Sequence, residues 1–510
     1  MDYWGYKEPD KEAIIDKKRR ITYRELRLET NKLASAMLRI GVQKGDVVVS
    51  FVPNGHEFIE IFFAAAKLGA IMIPLDPQLE KNEVWVRLKK AMPKLIFVTN
   101  ENHLHWINEE GAAAKAITVR FKAFGVPSYA DILESGSEAN IESVKVDPAK
   151  DVCMVMFTSG SSGVPKGVEL TYKNLFQSAK NIGSRLACTA ADVFIVPIPV
   201  CHLFAVVTGM IVPCWFGGKI VLIDRFEPDK VLHLIEHEKG TVLYGVPTMY
   251  VRELQEYRQK QKDLTSLRVS FLAGAYCDPN LVKQIGNELN CGVMIAYGST
   301  ETVAVLMTGL EDDEVMVAET VGRPLKGIQI KIVDDRGHEV GTGEIGELVV
   351  KGYNVMKGYY LDPVLTQETL SDGWVHMGDL VTVDEKGYVR IVGRKSDMII
   401  RGGENIYPID IEKIYYTHPD VLEIAVIGLP HSELGEQTAA FIVLKPNSPK
   451  HSAESLREFA QGKIAKFKIP DQVYLIDTMP KLANGKIDRG ALKGAWMKRI
   501  DSQERQEQGA

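Results

Sequence analysis

The nine residues from Thr158 to Lys166, TSGSSGVPK, combine three serines, a threonine and two glycines with a terminal lysine. Hydroxyls and backbone N–H groups in such a loop can surround phosphate oxygens, and glycine lets the backbone approach closely. Just upstream, Val152-Cys153-Met154-Val155-Met156-Phe157 is an unbroken apolar run that predicts a buried strand entering the loop. Lys166 supplies positive charge for β- and γ-phosphates. The chemistry suggested is binding of a nucleoside triphosphate, with ATP as the default. The loop is not a G-x-x-x-x-G-K-[ST] phosphate loop, because Gly160 and Gly163 stand too close together and Pro165 precedes the lysine. Serine- and glycine-rich stretches are also common as plain flexible loops, so the rest of the chain must decide.

Four other constellations could carry chemistry. Tyr297-Gly298-Ser299-Thr300-Glu301 follows a predicted strand and offers a flat ring for a purine, hydroxyls for phosphate and a hard carboxylate oxygen for Mg²⁺. Trp374-Val375-His376-Met377-Gly378-Asp379 places a carboxylate after a glycine turn, where it can accept from ribose hydroxyls, and Arg394 lies fifteen residues on. His202 interrupts the apolar run Pro197–Phe204; a lone histidine there is more often a satisfied core residue than a catalyst. Near the end of the chain, Pro480-Lys481-Leu482-Ala483-Asn484-Gly485-Lys486 is a turn that presents Lys486 at its tip, and a charged tip is ordinarily just solvated.

Composition bounds what these residues can serve. At 510 residues the chain predicts about two to four domains. A hydrophobic content of 45% and a charged content of 25% are those of a soluble globular protein. A net charge of −6 without a basic block argues against a nucleic-acid partner. No apolar run approaches the roughly 18 residues of a membrane span. The start, MDYWGYKEPDKE, has no signal-peptide core. The six cysteines lack CxxC spacing and read as reduced core residues, so the expectation is a cytoplasmic protein.

The elements that must position the motifs alternate. Thr22-Tyr23-Arg24-Glu25 reads as a capping box opening a helix to about Ile40. A strand Val47–Val52 and a helix His56–Leu68 follow. Further strands are expected at Leu95–Thr99, Val152–Phe157, Val193–Val196, Lys219–Leu222, Val242–Val246, Val269–Ala273 and Val293–Tyr297. This βα alternation predicts an α/β fold with doubly wound, mostly parallel sheets. After about Val321 the short strands Ile328–Val333, Glu347–Lys351 and Val389–Val392 predict a small barrel-like antiparallel subdomain. Beyond Gly393-Arg394-Lys395-Ser396-Asp397 comes an α+β unit of about 100 residues, with a helix from about Ile409, strands Val421–Ile427 and Ala439–Leu444, and a helix around Ser452–Ala465.

Taken in order, TSGSSGVPKG, PVCH, YGSTE, HMGD, GRKSDMIIRGGENIYP and PKLANGKIDR resemble the motif series of the adenylate-forming superfamily, over about residues 20 to 495. That superfamily includes acyl-CoA synthetases, aryl-CoA ligases, luciferases and the adenylation domains of peptide synthetases. The resemblance implies a large N-terminal domain over 1–393, with its barrel-like part at about 321–393. It further implies a hinge at 394–397, a small mobile C-terminal domain over 398–496 and a polar tail over 497–510. The implied reaction has two halves: a carboxylate attacks the α-phosphate of MgATP to give acyl-AMP and pyrophosphate, then the thiol of coenzyme A displaces AMP. Carried over residue by residue, Thr158, Ser159, Gly160, Ser161, Ser162, Gly163 and Lys166 form the phosphate loop. Tyr297 stacks on adenine, Gly298 and Ser299 shape the turn, and Thr300 and Glu301 contact phosphate and Mg²⁺. Gly274 and Ala275 form the second adenine-side turn. Asp379 and Arg394 contact ribose, His202 gates the acyl pocket, and Lys486 bridges carboxylate and phosphate oxygens. Rotation about the hinge brings Gly402, Gly403 and Glu404 to the acyl-adenylate. Where relatives carry Asp or Lys at the hinge position, this chain has Ser396.

The acid is narrowed by what is missing. Relatives that activate amino acids place an Asp after the histidine motif, whereas His202–Gly209 holds no carboxylate, and a buried ammonium without a partner is costly. Val246, Met249, Ala296, Val303 and Val305 are apolar, and CHLF and NVMKGYY (Asn354–Tyr360) look most like fatty-acyl-CoA ligases. A medium- to long-chain fatty acid is the expectation. An aromatic acid, or transfer to a carrier protein's phosphopantetheine, are the alternatives. A luciferase-like oxygenase and a catalytically dead nucleotide-binding protein are the more distant ones. Oligomeric state is left open, a homodimer included.

Overall fold

The fold is that of a computed structural model, which describes residues 1–109, 114–158, 165–431, 433–446, 448–481 and 487–497. Its contacts divide the chain into two compact units. The first comprises Met1–Ile330 and Val350–His376, the second Lys331–Val349 and Met377–Ala510.

The first unit is built on two sheets. A nine-stranded sheet runs, in spatial order, Arg323–Pro324, Leu306–Met307, Gly292–Tyr297, Val269–Leu272, Val242–Gly245, Val193–Val196, Lys219–Leu222, Glu12–Ile15 and Arg20–Thr22. From Gly292–Tyr297 to Glu12–Ile15 every pairing is parallel. A seven-stranded sheet runs Gly358–Tyr359, Lys166–Thr171, Val152–Thr158, Ile71–Pro74, Val47–Ser50, Leu95–Val98 and Lys115–Thr118. It is parallel except at one end, where Val152–Thr158, Lys166–Thr171 and Gly358–Tyr359 are antiparallel. Parallel strands buried on both faces need continuous apolar runs, which is what Leu95–Val98 and Val269–Leu272 supply.

Local signals in the sequence fix the helices that cover these sheets. In the helix Tyr23–Ile40 the Thr22 hydroxyl accepts the Glu25 N–H, and the Glu25 carboxylate accepts the Thr22 N–H in return. Gly41 ends it in the left-handed region at φ +98°. The helix His56–Leu68 has the bounds its pattern predicts.

In the second unit, Ile399–Arg401, Glu404–Ile406, Val421–His431, Gly435–Leu444 and Gln472–Leu475 form one five-stranded sheet. Its two faces are separated by the strand period of two. Ile424, Val426, Ala440 and Ile442 pack in one core, and Ala425, Ile427, Ala439 and Phe441 in another. The helix expected over about Ser452–Ala465 is shorter, Ala453–Phe459, and Gly462 beyond it takes φ +73°, outside helical space. The strands Ile328–Val333, Gly346–Gly352 and Val389–Arg394 appear close to their predicted places, whereas Trp374–Asp379, read as a glycine turn, lies within a ten-residue strand, Trp374–Val383, that was not expected.

All six cysteines are free, and Cys153, Cys188, Cys214 and Cys277 are buried. Among the described residues no helix is long and apolar enough to cross a membrane.

Candidate active site

The carboxyl ends of the parallel strands Val193–Val196, Val242–Gly245, Val269–Leu272 and Gly292–Tyr297 share one edge of the nine-stranded sheet, the usual location of ligand crevices in open α/β sheets. His202, Val246, Gly274 and the turn Tyr297–Glu301 all follow directly from that edge.

The turn after Tyr297 is tightly determined. The Ser299 N–H donates to the Thr302 hydroxyl at 3.2 Å, the Glu301 N–H to the Ser299 hydroxyl at 3.1 Å, and the Val305 N–H to the Tyr297 carbonyl at 2.8 Å. A Cβ on Gly298 would lie 1.9 Å from the Val303 carbonyl oxygen, so only glycine fits. Val303 itself takes φ +52°, a strained conformation for a β-branched residue, and such strain gathers at functional sites. Thr300 and Glu301 are half-buried within this turn.

The segment Asn354–Tyr359 holds the same turn from outside. Buried Asn354 donates from its amide to the Thr302 carbonyl at 2.8 Å and the Ala304 carbonyl at 3.3 Å. The Met356 N–H donates to the Glu301 carbonyl at 2.7 Å, and the Tyr359 phenol to Glu301 Oε1 at 3.2 Å. No basic side chain forms an ion pair with Glu301 among the described residues. A hard, half-buried carboxylate of this kind fits Mg²⁺.

The two ends of the phosphate-loop motif lie on antiparallel strands of the seven-stranded sheet. Thr158, the last residue of one strand, pairs with Lys166, the first of the next. Ser159, Gly160, Ser161, Ser162 and Gly163 lie outside the described residues. The returning strand was not anticipated, although the alternation of buried Val168 and Leu170 with half-buried Glu169 is its period-two signature. Lys166 places its ammonium 5.6 Å from the centre of the Tyr359 ring.

His202 closes a loop suspended from Asn54. The buried Asn54 amide donates to the Ile198 and Ile223 carbonyls, both at 2.9 Å, and its carbonyl accepts the Val200 N–H at 2.8 Å. Burial lowers the His202 pKa, with Asp76 acting in the opposite direction. The imidazole is thereby biased towards its neutral form. A π-helix, Ala205–Ile211, follows, and single π turns recur at functional sites. Phe204 packs against Phe271 and Tyr244 at ring separations of 5.7 and 6.1 Å. Sequence reasoning missed Asn54 and Asp76; Asn354 and Tyr359 fall within the NVMKGYY motif, which was read for the acid and not for these contacts.

Gly274 adopts φ +87°, and Gly274 and Ala275 are exposed beyond the strand Val269–Leu272. Asp379 and Arg394 belong to the second unit. They are direct cross-strand partners, with Arg394 Nε donating to Asp379 Oδ1 at 3.1 Å, and Gly378 before them takes φ +70°. Gly402 and Gly403, at φ +58° and +89°, form the exposed turn that leads into Glu404. Residues 395–397 form a single 3₁₀ turn. Lys486 lies outside the described residues.

Residues 1–360 match the family model described as AMP-binding enzyme, and residues 410–486 match the AMP-binding enzyme C-terminal domain. The chain is 34% identical to the putative acyl-CoA synthetase YngI of Bacillus subtilis, over 95% of this chain and 94% of that protein. It is 33% identical to the medium-chain fatty-acid–CoA ligase of Escherichia coli, covering 98% of this chain and 90% of the relative. Its fold superposes on the crystal structure of the anthranilate CoA ligase AuaEII in complex with anthranoyl-AMP with a TM-score of 0.91 at 26% identity, over 98% and 97% of the two chains. The matches to both family models, the near-full-length relatives and the ordered motifs converge: the chain belongs to the AMP-binding enzymes and is an adenylate-forming acyl-CoA ligase, with ATP, Mg²⁺ and coenzyme A as its cofactor and co-substrates.

Proposed function

We propose that this ligase activates a medium- to long-chain fatty acid. The observation that carries the reading is the character of the segment behind His202: Leu203–Ile211 is almost wholly buried, contains no charged side chain, and packs Phe204 tilted against Phe271 and edge-on to Tyr244. An apolar segment beside the acyl entrance favours an alkyl chain over a polar or charged acid. The likeness to the Escherichia coli medium-chain ligase supports the same class. The aromatic character of the segment, together with the likeness to an anthranilate CoA ligase, favours an aromatic acid as the second reading.

A carboxylate is a poor acyl donor because oxide would have to leave. In the first half-reaction a carboxylate oxygen attacks the α-phosphorus, the bond to the bridging oxygen breaks, and pyrophosphate departs. In the second, the coenzyme A sulfur attacks the acyl carbon, the bond to AMP breaks, and the thiol loses its proton. The first step brings anions together and needs positive charge around the phosphates. We assign Lys166 and Lys486 that charge, with Thr158, residues 159–163 and Thr300 as hydrogen-bond donors to the phosphate oxygens. Glu301 would hold Mg²⁺, which neutralises phosphate charge when bound. Tyr297, Gly274 and Ala275 face adenine, while Asp379 and Arg394 hold the ribose. His202, biased towards neutrality by burial, shapes the acyl entrance without adding a charge. The assigned organisation is an adenylation domain over 1–393, a hinge at 394–397 and a C-terminal domain over 398–496. Gly402, Gly403 and Glu404 then serve the thioester-forming half-reaction.

Incubation with MgATP, coenzyme A and a pooled series of straight-chain and aromatic acids, read by mass spectrometry, tests this. A preference for fatty acyl-CoA products of about six carbons or more, with stoichiometric AMP, is expected. Exclusive turnover of the aromatic acids would establish the second reading, and acyl-AMP without acyl-CoA would point to a carrier-protein thiol.

A further inference from the structure

The two groups assigned to nucleotide charge, Lys166 and Glu301, arise from different sheets. Lys166 opens a strand at the antiparallel end of the seven-stranded sheet, and Glu301 lies in the turn beyond the nine-stranded one. One side chain touches both. Tyr359 donates its phenol proton to Glu301 Oε1 at 3.2 Å and presents its ring face to the Lys166 ammonium at 5.6 Å.

Its position is fixed by backbone pairing. Gly358–Tyr359 forms the edge strand on Lys166–Thr171, with Tyr359 opposite Val168. The Tyr360 N–H donates to the Gly167 carbonyl at 2.7 Å, and the Lys357 N–H to the Glu169 carbonyl at 2.9 Å. The Tyr359 N–H donates to the Thr366 hydroxyl at 2.8 Å, and the Thr369 hydroxyl also reaches the phenol. The side chain is 7% exposed, so the ring cannot swing away without opening this packing.

We propose that Tyr359 is a positioning residue that couples the two charge sites: its hydroxyl orients the metal-binding carboxylate, and its ring holds the phosphate-binding ammonium. A phenol, protonated at neutral pH, can donate to one carboxylate oxygen and leave the other to a metal ion. A ring face in contact with the ammonium reduces the freedom of a long lysine chain without neutralising it, as an acidic partner would. The proposal rests on the assignment of Glu301 to Mg²⁺ and Lys166 to phosphate.

Two substitutions separate the two contacts. Tyr359→Phe keeps the ring and removes the hydroxyl, while Tyr359→Leu removes both, with Tyr359→Met in its place should the leucine chain not fold. The readout is binding of the uncleavable analogue α,β-methylene-ATP by calorimetry, titrated with MgCl₂, so no turnover is needed. For Tyr359→Phe the Mg²⁺ concentration at half-effect rises about tenfold, the scale of a hydrogen bond to a charged group, while affinity at saturating Mg²⁺ is nearly retained. The aliphatic variant adds about a threefold loss of affinity at saturating Mg²⁺. Glu301→Gln is the reference. If Glu301→Gln leaves the Mg²⁺ dependence unchanged, the metal assignment itself fails. If it shifts that dependence but Tyr359→Phe stays within twofold of the parent, the positioning role is overturned and the assignment stands. Equal effects of the Phe and aliphatic variants would remove the ring's part alone.

Discussion

Asn54 spends its whole amide on two neighbouring strand exits. It donates to the Ile198 and Ile223 carbonyls and accepts from the Val200 N–H, and it is 5% exposed, so water cannot replace it. Asn54→Ala would leave three buried backbone groups unpaired. Each such group costs about 1–3 kcal/mol, and partial relaxation brings the expected total to about 3 kcal/mol of unfolding free energy. Urea denaturation measures it directly, and a loss below about 1 kcal/mol would mean that the loop carrying His202 is held by other means. At this scale the sequence was informative about charges and silent about clamps. Lys166, Glu301, Asp379 and Arg394 draw attention as candidates because a charge in a glycine-rich turn has few structural uses. Asn54, Asn354 and Tyr359 act through partners between 50 and 193 positions away, and no local pattern encodes such a pairing.

Among the elements, the helix Pro247–Gln259 contains an anomaly. Glu253 is fully buried beside Tyr250 and Leu254, neither carboxylate oxygen has a partner among the described residues, and desolvation pushes its pKa up to about 8. The folded state therefore keeps a proton that the unfolded chain releases at ordinary carboxyl values. Between about pH 4.3 and 8 the unfolded state binds fewer protons, so stability falls as pH rises, by roughly 1.4 kcal/mol for each unit separating the two pKa values. Glu253→Leu is expected to raise the melting temperature, by more at pH 8 than at pH 5. A gain independent of pH would show that the carboxyl is already ionised in the fold. Elements with strong local grammar were read correctly, such as Tyr23–Ile40 through its Thr22–Glu25 box and His56–Leu68 through its period. The strand Lys166–Thr171 was overlooked because a lysine-glycine start conceals its alternation. The π-helix Ala205–Ile211 was not legible either, since an all-apolar run looks the same at 3.6 and 4.4 residues per turn.

For the molecule as a whole, the α/β class followed from alternation of apolar runs and amphipathic stretches, while the strand order that brings Thr158, Glu301 and His202 to their edges depends on crossovers no short pattern records. The cysteines carry a consequence for the two units. All six precede residue 292, so the second unit, Lys331–Val349 and Met377–Ala510, contains no thiol, yet it does contain Trp496. Burial pushes the Cys188 thiol up to about 12 and those of Cys214 and Cys291 up to about 11, which leaves little thiolate to react. Cys153, Cys188, Cys214 and Cys277 are buried, so their alkylation is a clock that runs only when the first unit opens, and peptide mass spectrometry can read each hand separately. Under rising urea, labelling of Cys153 and Cys214 is expected to lag behind loss of ordered signal in the peptides of the second unit followed by hydrogen exchange, if the smaller unit melts first. Coincident transitions would instead identify one cooperative block. The distribution of a single element, sulfur in its thiol form, makes the larger unit of this protein chemically audible and the smaller one silent.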